Sequence, residues 1–499
     1  MPLAMLNALP CAIALLWLLP ALWPGRALAR HWQLAETVAL AGGLLLLPLL
    51  CMPTPAPWFA AAWLMQALIQ LLGWMVLRYA RRYLQGEPGQ PRFLRAIGCL
   101  LAAVTVVVQA SHLLLMVLAW IACSLALQSL LTFYPGRPAA QLAAQREWRA
   151  SRLAECLLLG ALLLWVLAGG SLSLLPADAS TLVNGAQGYA VAAGVLLAAA
   201  VAIKTAQLPF HGWLTQVMEA PTPISALLHA GVVNLGGMVL IKAAPLLQAA
   251  PAANSLLMLW GGGSALLSCV VMLTRISIKL RLAWSTCAQM GFMLLEIGMG
   301  CYSLALLHLL AHSFYKAHAF LLAGETARDS AVRRMAGEQA ADSLWAHLAR
   351  GLLAVLWLAA AQWLWQHWMP AAALPPLFCL ALGLGLGGLL RSWGGVLLVL
   401  LLSQSYLLLH ALAAHILPLH GPAPALYVQG VLAAMFLAAY MLQGGLLRHP
   451  NGALARRLYP HAFAGFHLDE WWCMLGRRRP HPTIPLALTW PQLQENRRG

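Results

Sequence analysis

Apolar runs of roughly twenty residues recur from one end of this chain to the other, each long enough to cross a ~30 Å hydrocarbon core as a helix. Few folds are open to such a chain. In lipid every backbone polar group must be satisfied internally, which leaves helices or closed barrels. The alternating strands of a barrel are absent, so the sequence predicts an all-α polytopic membrane protein. Composition agrees: 62% of the 499 residues are hydrophobic and only 9% charged, whereas soluble domains carry about a quarter charged residues. The first run, Leu3 to Trp23, is too long for a signal-peptide core and lacks a charged leading segment, so a retained span is expected.

Proline, glycine and charge punctuation places spans near 3–24, 34–52, 58–79, 95–110, 113–134, 151–168, 187–208, 223–246, 254–275, 279–299, 302–323, 345–368, 374–390, 393–416 and 426–446. Weak turns at Ser111-His112 and around Gly300 leave the total at 14–15 transmembrane helices. Residues 1–446 form the membrane domain, with its core at 95–416, and 447–499 a basic, Pro-rich tail. That tail, with Trp471, Trp472 and Trp490, reads either as a solvated or interfacial segment or as a docking segment for a cytoplasmic partner. Cations follow the odd-numbered spans, Arg78 to Arg95, Arg137 to Arg152, Arg275 to Arg281 and Arg391 among them. The positive-inside rule then puts the N-terminus outside and the C-terminus in the cytoplasm. Dispersed into short loops, the net charge of +16 is no nucleic-acid footprint. The ten cysteines are scattered without paired spacing, and fit neither a disulfide framework nor a zinc or iron–sulfur site.

Only four lysines occur, and Lys204, Lys242 and Lys316 sit inside predicted spans. A charge at bilayer depth costs at least ~2.5–3.5 kcal/mol, so such residues usually face an internal cavity and mark an ion or proton path. Residues 203–245 place a lysine deep in a helix, a break at Pro209, a short Trp-bearing segment, and a Pro-x-Pro turn into a helix carrying His229. Interrupted membrane helices expose backbone groups and serve ion sites near the midplane. His308, His312 and Lys316 fall at i, i+4 and i+8, on one helix face. Gly383, Gly385, Gly387 and Gly388 lie inside an apolar span without a preceding strand, which reads as helix packing rather than a nucleotide loop.

The stretch IKTAQLPFHGWLTQVMEAPTPISALLHA from Ile203 resembles the proton-conducting membrane subunits shared by respiratory complex I, membrane hydrogenases and multi-subunit sodium/proton antiporters. Two further blocks carry the resemblance, SIKLRLAWSTCAQMGFMLLEIGMG from Ser277 and HLLAHSFYKAHAFLLAG from His308. Within that family the forms LAWSTCAQMGFM and YKAHAFL look most like the DabB-type membrane subunits of two-part inorganic-carbon uptake complexes. Trp120-Ile121, where complex I subunits have a glutamate after tryptophan, and the short segment after the last span agree with that subgroup.

The resemblance implies an antiporter-like fold with inverted repeats and broken helices, and an ion-translocating rather than catalytic chain in a bacterial inner membrane. It implies no cofactor or metal on this chain. The partner would be a large soluble zinc-binding DabA-like subunit, resembling β-type carbonic anhydrases, at the cytoplasmic face. Proton or sodium flux would drive its hydration of CO2 to bicarbonate. A redox-driven complex I or hydrogenase pump and an Mrp-like Na+/H+ antiporter remain open alternatives. Lys204 matches the family's central lysine, and Glu155, after Arg152, its sixth-helix acid and ion-pair partner. His229 matches a relay histidine, and His308, His312 and Lys316 a proton-hopping stripe. Lys242 reads as an exit site or a snorkelling cation, thirteen residues or about 20 Å beyond His229 if the helix is straight. Glu219 reads as an entrance carboxylate or a loop acid. Glu296, deep in the tenth span, has no family counterpart and no partner visible in the sequence. The twelfth to fifteenth spans hold no lysine or acid, which puts a second half-channel in question.

Overall fold

A computed structural model describes residues 3–22, 27–47, 56–175, 183, 185–217, 220–324, 343–369, 373–422 and 425–470. In chain order the helices are α1 Leu3–Leu22, α2 Leu28–Leu46, α3 Pro57–Tyr83, α4 Gln90–Gln109, α5 Leu113–Leu131, α6 Pro138–Leu167 and α7 Gln187–Lys204. The interrupted region follows as α8 Gly212–Gln216, α9 Thr222–Ala230, α10 Leu235–Lys242 and α11 Ala244–Gln248. Then come α12 Pro251–Leu273, α13 Ile278–Gly298, α14 Tyr302–Leu321, α15 Leu344–Gln366, α16 Pro376–Gly387, α17 Trp393–Ile416, α18 Leu426–Arg448 and α19 Ala453–Phe463.

Local chemistry sets many of the starts. Proline lies in the first turn of α3, α4, α6, α9, α11, α12 and α16. There its fixed φ suits the helix and its missing N–H is no loss. Ser343 and Ser392 cap α15 and α17, each hydroxyl accepting a backbone N–H at 3.1 Å.

Every predicted span has a helix at its position. Among the described residues ten spans are long and apolar enough to cross a membrane, with Thr222–Lys242 counted as one. The helices α13 and α14 reach 21 and 20 residues but are more polar, carrying Lys279, Arg281 and Glu296, and His308, His312 and Lys316.

Three boundaries differ in ways that matter. The seventh helix stops at Lys204 rather than 208, because Pro209 cannot donate to the preceding turn and clashes with it. The eighth span is not straight: it breaks between Gly231 and Asn234 into a single tight turn. The sixth helix begins at Pro138 rather than 151, so its first four turns carry Arg146, Glu147, Arg149 and Arg152.

Burial is concentrated around the breaks. Of the Thr222–Lys242 window 89% is buried, against 17% for α18. The main core joins side chains of α1 to α14, while α15 and α17 leave Leu356, Leu401 and Trp393 exposed, as a lipid-facing rim does. Gly236 and Gly237 let α10 press between the helices that carry the site: a Cβ would meet Thr205 at the first and Met293 and Leu309 at the second.

Candidate functional site

At the break, α7 ends on Lys204, and Ala206 takes a left-handed φ of 55° before the cis Leu208–Pro209 bond. The Lys204 ammonium is buried and donates to Glu155 Oε1 at 2.9 Å, to Ser124 Oγ, and more weakly to Ser151 Oγ at 3.4 Å. It also lies 5.7 Å from the Trp120 ring centroid. The other carboxylate oxygen of Glu155 takes a 2.7 Å ion pair from Arg152.

A second buried acid, Glu147, stands two turns earlier on the same face of α6 and accepts from Ser151 and Gln128. Glu147, Ser151 and Glu155 therefore form a stripe leading from the arginine-rich end of α6 to Lys204. Beside them lies a cavity of about 20 Å3 lined by Trp120, Ser124, Glu147, Ser151, Lys204 and Trp213, which has room for about one water molecule. The sequence does not single out Glu147, because only the helix start at Pro138 puts it in line; its i, i+4, i+8 spacing with Ser151 and Glu155 is the signal that marks it.

A second polar line runs through α9, α13 and α14. His229 Nδ1 is 3.1 Å from Thr286 Oγ1, and its ring stacks on Phe320 at 4.4 Å. Next to Thr286, Ser285 accepts from Lys316 Nζ at 2.8 Å, and the Leu282 carbonyl accepts from it at 2.9 Å. Asn234, at the break in the eighth span, donates to Ser313 Oγ at 2.6 Å, tying that break to the Lys316 helix. His312 and His308 follow on the expected face, with ring centroids 6.2 Å apart. His308 Nδ1 is 3.0 Å from Glu296 Oε2, which supplies the partner that the sequence did not reveal.

Lys242 stands apart from both lines. Its ammonium donates to the carbonyls of Val107 and Val108 at 3.1 and 3.0 Å and lies 4.7 Å from the Trp58 centroid. Those carbonyls belong to the last turn of α4, where helical acceptors lack intrahelical donors and a cation is favoured. At 1% exposure it does not snorkel to an interface; that reading is corrected by its role as a cap on α4. It borders a cavity of about 450 Å3 with Trp58, Leu113, Trp165 and Leu419. Glu219 lies outside the described residues; its neighbour Thr222 accepts from Lys279 Nζ at 3.0 Å.

Beneath the break, the first part of the tail folds back. Asp469 pairs with Arg146, Arg275 reaches the Ala462 carbonyl at 3.5 Å, and Phe466 and Leu468 pack against Leu208, Val271 and Trp284. Burial pushes the Asp469 carboxyl up from its ordinary range, against the opposing pull of Arg146.

A buried lysine paired with an acid at a helix break, with a lysine–histidine line on further helices, defines an antiporter-like multi-pass membrane subunit. The chain belongs to the NADH:quinone oxidoreductase/Mrp antiporter transmembrane family, which it matches over residues 110–361. It is 35% identical over 498 residues, 93% of each chain, to the probable inorganic carbon transporter subunit DabB of Hydrogenovibrio crunogenus. It is 45% identical over 253 residues to the probable subunit DabB2 of Halothiobacillus neapolitanus, covering 50% of this chain and 46% of that one. In fold it resembles the Mrp complex of Dietzia sp., with a TM-score of 0.55 and 22% identity over 99% of this chain and 58% of that one.

Proposed function

We propose that this chain is the ion-conducting membrane subunit of an energy-coupled inorganic-carbon uptake complex. Protons enter along His308 and His312 to Lys316. They cross by His229 to the Glu155–Lys204 pair and leave near Glu147, at the arginine-rich end. The observation that carries ion movement is the buried Lys204–Glu155–Glu147 cluster at the helix break: a membrane helix bears the cost of such charges where they conduct. Protons rather than sodium are favoured by the nitrogen-bearing groups of the second line, since hard cations prefer oxygen ligands.

The carbon role rests on similarity along nearly the full length to a DabB subunit. In this reading catalysis belongs to a large soluble zinc-binding DabA-like partner at the cytoplasmic face, and proton flux makes its CO2 hydration effectively one-way. The membrane is a bacterial inner membrane, with the arginine-rich end and the tail in the cytoplasm.

Purification from the native membrane in a gentle detergent, followed by mass spectrometry, tests the assignment. A large soluble zinc protein in fixed ratio is the expected companion. Quinone-reducing or hydrogenase subunits in its place would overturn the carbon reading and leave a redox pump.

A further inference from the structure

The proposed path needs an end. Among the described residues, Lys316 has two oxygen acceptors but no carboxylate as a hydrogen-bond or ion-pair partner, unlike Lys204 with its acid partner. From Lys316 the α14 stripe runs through His312 to His308, two turns or about 12 Å along the axis. Both ring nitrogens of His312 and Nε2 of His308 are buried without a hydrogen-bond partner among the described residues. Buried polar atoms are nearly always satisfied, so these nitrogens call for a mobile partner such as water, through which a proton can pass.

The remaining nitrogen of His308 is engaged, and by an acid. Glu296 is 2% exposed, and its Oε2 lies 3.0 Å from His308 Nδ1. It stands two residues before the end of α13, at the end of the bundle away from Lys279 and Arg281. Four residues on, about 6 Å along the axis, Gly300 turns with φ 74° and accepts from the Gly421 N–H of a surface loop at 3.0 Å. One turn earlier on the Glu296 face, Phe292 packs on the His308 ring at 6.0 Å and on Phe378 and Phe436. These aromatic contacts screen the His308 side of the line from the lipid-facing rim.

We infer that Glu296 is the terminal proton acceptor of the Lys316–His312–His308 line, the carboxylate that takes up the proton on the face opposite the arginine-rich loops. This rests on the proton-conducting reading above. In each cycle the Glu296 carboxylate takes a proton from water beyond Gly300 and gives it to His308 Nδ1, His308 passes one to His312, and His312 to the Lys316 amine. The Lys316 ammonium hands it on by His229 towards the Lys204–Glu155 pair, and every group returns to its starting charge. Glu296 thereby supplies the acid for which the twelfth to fifteenth spans have no counterpart.

The test uses the intact complex in native membrane vesicles, with proton flux read by an entrapped pH-sensitive dye for Glu296→Gln, Glu296→Asp and Lys204→Ala. Thermal melting and recovery of the assembled complex check each variant's fold. Glu296→Gln, which keeps shape and hydrogen bonding, is expected to lose at least about tenfold in flux. Glu296→Asp keeps a measurable part of it, and an infrared carboxyl band present in the wild type disappears only in the glutamine variant. Wild-type flux in Glu296→Gln beside a silent Lys204→Ala would overturn the inference and leave the conduction reading intact. Equal loss in the aspartate and glutamine variants would also overturn it, as a packing role. Wild-type flux in Lys204→Ala would instead remove the conduction reading, and this inference with it.

Discussion

Lys204 and Glu155 were legible because a charge inside an apolar run is rare and costly, and the family motif surrounds the lysine. Glu147 and the Glu296–His308 contact were not, because each depends on a helix start or an inter-helix register that periodicity does not fix. Lys242 shows the same limit: the carbonyls it caps lie more than a hundred residues away in sequence. The cluster has uneven redundancy. If Lys204 is removed, Glu155 keeps Arg152 and Glu147 keeps Gln128 and Ser151. If Glu155 is removed, Lys204 loses its direct counter-ion, the kind of loss that costs about 3–5 kcal/mol when a buried pair is broken. Glu155→Leu is therefore expected to lower the melting temperature of the purified protein clearly more than Lys204→Met; the reverse order would contradict this geometry. Glu147→Gln keeps an acceptor for Ser151 but cannot carry the proton, so flux in vesicles should fall at least about tenfold with melting little changed.

At the scale of elements, the two interruptions decide the arrangement. Pro209 ends α7 on Lys204, and the Gly231–Asn234 turn brings the Asn234 amide to Ser313 on α14. Proline made the first break readable in advance. The second has no proline and begins at Gly231, whose φ of −125° and ψ of −66° leave the helix, a departure that an apolar run does not announce. The docked tail is a further element-scale feature. The Asp469 carboxyl is raised by burial, so the docked tail holds its proton more tightly than a free one. Docking is thus fully favoured below the ordinary aspartate range and weakens as pH rises through the raised value. Protease protection of residues 449–470, measured across acidic pH, should be greatest at the low end; protection that increases with pH would refute the sign.

For the whole molecule, the sequence yielded the polytopic helical class and the position of every span, because a twenty-residue apolar run has few other uses. It did not show that the broken eighth span is the most enclosed segment, since burial follows from which helices surround it. Two faces follow from the helix order. Turns at 86–89, 132–137 and 274–277 and the tail at 449–470 share one face; turns at 110–112, 168–175, 299–301 and 417–422 share the other. Single cysteines placed in these turns, in a variant lacking native cysteines, should label with an impermeant reagent from opposite sides of sealed vesicles. The central claim is that protons cross through Lys204, and flux through the intact complex in native vesicles tests it most directly. Lys204→Ala should assemble with the same partners and stay silent under an imposed proton gradient. Wild-type flux in that variant would contradict the account.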